Sequence, residues 1–288
     1  MRRVTEEPSR TLSNGMRAVL EQDRWRPGFV NLVVDGTPQS QVNPADPRQL
    51  GFEYVQRIGH VIDLLREPGA PLTAVHLGAG ALTLPRYIAA TRPGSRQQVL
   101  ELEPALVELV REHIPLPPDS GIRVRYGDAR EGLTRLPRAL TGSVDLVVVD
   151  IFSGSRIPAH VTTVEFYREV AALLAPDGVV AVNLADGPGL SFARGQAATL
   201  GAAVKEVAAL AETQILKGRR FGNVVLIGSD SSLPLQWLPR LLAAGPHPSK
   251  AVAERELRDF VAGAPVVTDA TARPSPPPGR TFLAVDRD

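Results

Sequence analysis

The sequence predicts an α/β fold: a mostly parallel sheet covered by helices on both faces and closed at one side by an antiparallel hairpin. Three observations predict it. Between residues 72 and 211, short apolar runs alternate with longer helical segments. Acidic residues stand at the ends of three of those runs, as Glu101, Asp128 and Asp150. The first run leads directly into a glycine-pointed turn, Gly78-Ala79-Gly80, which leads directly into a helical segment.

Ahead of this alternation, MRAVLEQ (16–22) and FVNLVVDG (29–36) read as β-runs joined by the polar turn DRWRPG, a small N-terminal β-hairpin region. The stretch TPQSQVNPADP reads as turns. In LGFEYVQRIGHVIDLL, Phe52, Val55, Ile58, Gly59, Ile62 and Leu65 recur at helical spacing, and Glu67-Pro68-Gly69 ends the helix. The apolar runs are then 72–77, 97–102, 122–127, 144–150 and 178–184, with helices expected over 104–114, 163–175 and 192–211. Parallel strands need crossover connections and burial on both faces, which this alternation supplies. AETQILKG (211–218) and FGNVVLIGS (221–229) lie too close for a crossover, so they are expected to pair antiparallel at one edge. Five parallel-type strands, a helix and a closing hairpin give the layout of a Rossmann-like, seven-stranded methyltransferase-type sheet. KAVAERELRDFVA reads as a C-terminal helix, followed by a Pro-rich extension and a β-like TFLAV. The expected division is an N-terminal hairpin region and linking helix (1–68), a nucleoside-binding domain (69–231) and a C-terminal extension (232–288).

Composition narrows the function. The 288 residues, 43% of them hydrophobic, can bury one substantial core. Thirty-two basic side chains against thirty-one acidic ones give a net charge of +1, so charge makes no case for nucleic acid or an anionic membrane as partner. With no cysteine there is no disulfide framework and no thiolate nucleophile. The polar first fifteen residues carry no signal-peptide pattern, no apolar run approaches the ~20 residues of a spanning helix, and a cytoplasmic location is expected. The five histidines share no ligand spacing, so no metal is expected. Trp25 and Trp237 read as packing residues.

Gly78 and Gly80 let backbone approach a ligand where no Cβ intervenes. Thr83 stands where a dinucleotide fingerprint would have its third glycine, which argues against NAD, and no G-K-[ST] follows to make a phosphate loop. Glu101, about twenty residues past the glycines, is placed to accept hydrogen bonds from ribose hydroxyls. Asp128 can meet an adenine amino group, and Asp150 closes the row. Acids at strand ends also cap the helices that follow, and that alternative stays open for each of them.

The order of these motifs resembles the spermidine synthase, or polyamine aminopropyltransferase, family within the class I S-adenosylmethionine-dependent methyltransferase superfamily. LVVDGTPQ and GFEYVQRIGHV resemble that family's "LDG-x-Q" segment and its Tyr-bearing helix. VLELEPALVELVREHIP, IRVRYGDA and VDLVVVDIFSGSRIPAHVTTVEFY resemble its "VEID", "GDG" and "VDSTDP" blocks. The resemblance implies that Glu101 binds the ribose, that Asp128 with Ala129 beside it binds the adenine, and that Gly78 and Gly80 line the sulfonium side. It implies that Asp150 accepts a proton from, or orients, the attacking amine, and that Gln39, Tyr54 and Ser153 lie in the second-substrate pocket. It makes Thr268 and Asp269 candidates for the acceptor rim, with a plain surface turn as the alternative. It further implies decarboxylated S-adenosylmethionine or S-adenosylmethionine as co-substrate, a small-molecule amine acceptor and a homodimer.

Two family acids are replaced, one by Ala81 in the glycine turn and one by Ser153 after the fourth strand. Desolvating a cation without a counter-charge costs several kcal/mol. Three readings follow: aminopropyl transfer to an atypical acceptor, methyl transfer, or a non-catalytic nucleoside-binding homologue.

Overall fold

The computed structural model describes residues 7–244 and 247–277. Both the first six residues and the β-like TFLAV lie outside them. Strands β1 (Ser9–Thr11), β2 (Arg17–Gln22), β3 (Val30–Val34) and β4 (Thr37–Val42) form a small antiparallel sheet in sequential order. The expected hairpin is its centre, β2 on β3, with Leu20 opposite Leu32. The stretch read as turns contains β4, which pairs with β3 through a register shift at Leu32/Val33.

Helix α1 (Glu53–Leu64) leads to the main sheet: β5 (Thr73–Leu77), α2 (Thr83–Thr91), β6 (Arg96–Glu101), α3 (Pro104–His113), β7 (Ile122–Tyr126), α4 (Ala129–Leu133), β8 (Val144–Val149), α5 (Val164–Ala171), β9 (Leu174–Asp186), α6 (Ser191–Gly201), β10 (Glu206–Ala211), α7 (Thr213–Leu216), β11 (Gly222–Ser229), α8 (Leu238–Ala244), β12 (Lys250–Ala253) and α9 (Glu254–Val261). The spatial order is β12-β10-β11-β9-β8-β5-β6-β7. From β7 to β9 the strands run parallel, and from β9 through β11 and β10 to β12 each neighbour is antiparallel.

The methyltransferase-type sheet is therefore present, with an eighth strand added at its edge. Two segments differ from expectation. The helix expected over 192–211 stops at Gly201, and its second half is β10; the stretch expected to be a strand, 211–218, holds the short α7 instead. The closing hairpin forms between β10 and β11, but β12, from the front of the expected C-terminal helix, takes the edge.

Alternation along β8 explains the two-sided core. Val147 and Val149 face one side with Val75, Leu77, Val180, Phe166 and Leu200, under α5 and α6. Leu146 and Val148 face the other with Ile58, Ile62 and Ile88, under α1 and α2. Each such side chain, fully buried, contributes about 1.5–3 kcal/mol. Helix α3 begins with Pro104 in its first turn, where the missing N–H costs nothing. It buries Leu106, Leu109 and Val110 against Leu20 and Leu32 of the small sheet. That contact sets the N-terminal sheet over the carboxyl ends of the main strands.

Contrary to the packing expectation, Trp25 is 91% and Trp237 53% exposed. No helix among the described residues is long and apolar enough to cross a membrane.

Candidate nucleoside and amine site

β5 is flanked by β6 on one side and β8 on the other, so chain direction across the sheet reverses there. A crevice opens at the carboxyl ends of strands at such a point. Here it becomes a cavity of about 780 Å³, roofed by β4, the start of α1 and the loop 151–160. Nine of the residues named from the sequence line it: Gln39, Tyr54, Gly78, Gly80, Glu101, Asp128, Ala129, Asp150 and Ser153. Ala81 does not. It is fully buried among Leu12, Leu32, Leu106 and Leu109, an apolar contact beneath the small sheet.

The turn after β5 is held from both neighbours. The Gly78 N–H donates to the Leu100 carbonyl at 2.9 Å, and the Asp150 N–H donates to that of Leu77 at 2.9 Å. Gly78 has φ +97°, and a Cβ there would fall 2.1 Å from the Asp150 carbonyl oxygen. Only glycine fits. Glu101 leans back across this turn, accepting from the Ala79 N–H at 2.8 Å and the Glu103 N–H at 2.9 Å. Burial pushes its carboxyl above the ordinary range, opposed by the Glu103 and Ala79 N–H groups. Beside it, Glu103 accepts from the N–H and hydroxyl of Ser13, at 3.0 and 2.6 Å, tying the N-terminal sheet to the start of α3. Leu102, 59% exposed, lines the same end of the cavity.

Asp128 caps a helix, the alternative the sequence left open, and also lines the cavity. Its Oδ1 caps α4, accepting from the Arg130 and Glu131 N–H groups at 2.9 and 3.1 Å, while Oδ2 meets His160 Nε2 at 2.8 Å. Partial burial pushes this carboxyl up, but the Glu131 N–H, His160 and the Arg130 N–H outweigh it and the net shift is downward. His160 was invisible to ligand-spacing rules because its partner is 32 residues away.

Asp150 sits deepest. Tyr54 donates to its Oδ2 at 3.0 Å and Asn183 Nδ2 to its Oδ1 at 2.8 Å; Asn183 Oδ1 in turn accepts from Asn223 Nδ2 at 3.1 Å. Burial raises the carboxyl above its ordinary range, against the pull of these two donors. Burial, with the neighbouring Asp150 charge, raises the Tyr54 phenol well above its own, so it remains a donor. Also lining the cavity, His76 meets Gln97 Oε1 at 3.0 Å, and burial lowers it to about 4, which keeps it neutral. Gln39 reaches toward the Gly154 carbonyl at 3.5 Å, and Ser153 closes a tight turn with Arg156.

Neither Thr268 nor Asp269 lines this cavity. Asp269 pairs with Arg130 at 2.6 Å, outside α4, and Arg156 donates to the Ser275 carbonyl at 2.7 Å. One group of candidate metal ligands occurs among the described residues, Glu53, Glu212 and His247, their atoms within 4.8 Å of one another. Arg220 pairs with Glu212 at 2.6 Å and Arg57 lies 3.8 Å from it, so cations of the chain already offset the acids there.

This is the cleft of a class I methyltransferase-type fold: glycines at the first strand end, an acid at the second, another at the third, and a buried carboxylate at the fourth. Comparison with known proteins is consistent with it. The structure matches a probable spermidine synthase from Corynebacterium glutamicum ATCC 13032 with a TM-score of 0.82 and 30% identity, over 92% of this chain and 97% of that one. In sequence it is 31% identical over 142 residues to the polyamine aminopropyltransferase of Vibrio vulnificus, covering 49% of this chain and 46% of that protein. The chain thus spans about half the length of that curated relative. Human methyltransferase-like protein 13, in complex with SAH, shares the fold with a TM-score of 0.53 and 20% identity, over 72% of this chain and 93% of that one. No family model matches the chain. The chain belongs to the spermidine synthase-like family of the class I S-adenosylmethionine-dependent methyltransferase fold.

Proposed function

We propose that the protein transfers an aminopropyl group from decarboxylated S-adenosylmethionine to an amine, and that the acceptor is not the usual diamine of the family. The observation that carries this reading is Asp150. It is an ionisable carboxylate at the end of β8, held by Tyr54 and Asn183, in the same cavity as Glu101 and Asp128. A homologue that had abandoned catalysis would have no need to keep a buried acid so positioned, since burying it costs free energy.

In this reading Glu101 receives the ribose hydroxyls, Asp128 Oδ2 the adenine amino group, and Gly78 and Gly80 pass close to the sulfonium. The amine nitrogen attacks the propyl carbon bonded to sulfur; the C–S electron pair leaves on sulfur, giving a neutral thioether, and the amine proton passes toward Asp150. Positioning supplies most of the rate in such an in-line displacement. The donor is supported by the relatives' named activities. The acceptor proposal rests on Ser153, which lines the cavity where the family resemblance implies an acid gripping the diamine, so that one charge of a dication would lack its counter-charge.

Ala81 favours a second reading. With no acid in the glycine turn, the carboxylate of ordinary S-adenosylmethionine would meet no repulsion there, and methyl transfer to an N or O acceptor would use the same adenosine contacts. Incubation with either donor and a panel of mono-, di- and polyamines, followed by mass spectrometry, separates the two. An aminopropyl adduct from the decarboxylated donor is expected; a methyl adduct from S-adenosylmethionine alone would replace the first reading with the second. No adduct from either, with tight binding of methylthioadenosine, would leave a non-catalytic nucleoside-binding protein.

A further inference from the structure

Asp150 is held by an amide whose own direction is set one residue further out. An asparagine amide presents a donor on one side and an acceptor on the other, and the two ends are similar enough in shape that packing alone does not choose between them. Asn183 donates through Nδ2 to Asp150 Oδ1 at 2.8 Å, and its Oδ1 accepts from Asn223 Nδ2 at 3.1 Å. The sheet register makes this chain possible. β11 pairs antiparallel with β9, Val225 lies opposite Asn183 and Asn223 opposite Ala185, so Asn223 is the diagonal neighbour of Asn183 on one face. Asn223 is anchored in turn, because the Arg57 guanidinium donates to its backbone carbonyl at 3.2 Å and to Ser249 Oγ at 2.8 Å. Asn183 and Asn223 both line the cavity.

We infer that Asn223 is a positioning residue: its amide N–H fixes which way the Asn183 amide faces, so that Asn183 donates to Asp150 and holds that carboxylate as an acceptor for the second substrate. With Asn223 in place, a flip of Asn183 would set an oxygen against Asp150 and an N–H against another N–H. Without it, the flipped state loses only one of those two penalties. The role toward an incoming amine rests on the transfer reading above; the effect on Asp150 does not.

Tyr54 on α1 and Asn183 on β9 touch Asp150; the other charged or titratable side chains lining the cavity are Arg26, Glu53, His76, Glu101, Glu103, Asp128, His160 and His247. The test is a carboxyl-carbon NMR titration of the ligand-free protein labelled at aspartate, with the Asp150 signal assigned by loss in Asp150→Asn. Asn223→Val removes the donor while suiting a strand, and Asn223→Asp keeps the shape but turns the donor into an acceptor. The Asp150 midpoint is expected to rise in both, by a factor of about ten in proton affinity for Asn223→Val and by more for Asn223→Asp, with thermal unfolding still cooperative. Asn183→Leu, which deletes the direct donor, is expected to raise it as well and sets the scale for loss of that bond; if one Asn223 variant fails to fold, the other carries the test. An Asp150 midpoint unmoved in a folded Asn223 variant but raised in Asn183→Leu overturns the inference. A raised midpoint in a protein that alkylates no amine would sustain the positioning role and sink the transfer reading instead.

Discussion

Gly78→Ala should damage this protein far more than Gly80→Ala, although the two glycines are separated by a single residue. At Gly78 the backbone has φ +97°, a region costing an L-residue about 1–2 kcal/mol. The added Cβ would also lie 2.1 Å from the carbonyl oxygen of Asp150. Neither side can retreat cheaply. Gly78 is bonded to Leu100 and Asp150 to Leu77, so moving apart breaks a ladder bond on β6 or β8. Overpacking against a fixed neighbour adds about 1–3 kcal/mol, so a total near 3 kcal/mol is expected. At Gly80 the φ is +49° and the nearest obstacle is the Ser40 side chain at 3.1 Å. The Ser40 hydroxyl can turn, but its Cβ, 3.2 Å away, must shift by a few tenths of an ångström, so that variant should lose about 1–2 kcal/mol. Urea unfolding of both variants gives the two values, and titration with methylthioadenosine reports whether the turn still accepts a nucleoside. Equal losses in the two variants would refute the claim that Gly78 is the point where β5 and β8 meet too closely for a side chain.

Other expectations follow from the same geometry. Glu101→Gln keeps the volume but turns one acceptor into a donor facing a backbone N–H, and replacing a charged acceptor costs about 2 kcal/mol; methylthioadenosine affinity measured by calorimetry should fall about thirtyfold. Asp128→Ala removes the cap of α4 and should cost about 1 kcal/mol in urea unfolding, besides releasing His160 and weakening adenosine binding. The Asp150 carboxyl is raised by burial and must be ionised to accept a proton. Turnover should therefore fall as pH drops through a midpoint above the ordinary carboxylate range, and a rate profile with its acid limb at the usual aspartate position would contradict that assignment.

The parallel half of the fold was legible because its central strands are buried on both faces and read as short apolar runs, LVVV within β8 above all. β4 was not. TPQSQV buries Ser40 and Gln41 through hydrogen bonds to Thr83, Asp23 and Asn31, and so carries no apolar signal. β10 was read as helix because VKEVAALA fits either period and Gly201, which ends α6, was read as lying inside one long helix. The strand-end acids and glycines were legible because strand ends can be counted along a sequence. Asn183, Asn223 and His160 were not, since each acts through a partner that only sheet register or loop closure brings near. Ala81 was visible where the family resemblance implies an acid, but its burial beneath the N-terminal sheet depends on α3 packing that no local pattern encodes.

The central claim is that Glu101, Asp128 and the glycine turn form one adenosine site that ends on Asp150. Calorimetric titration of the wild-type chain with decarboxylated S-adenosylmethionine tests it most directly, with Glu101→Gln and Asp150→Asn in parallel. The account predicts saturable one-to-one binding that Glu101→Gln weakens strongly and Asp150→Asn leaves able to hold methylthioadenosine. Absence of any heat of binding from a folded wild-type chain, or binding indifferent to Glu101, would contradict it.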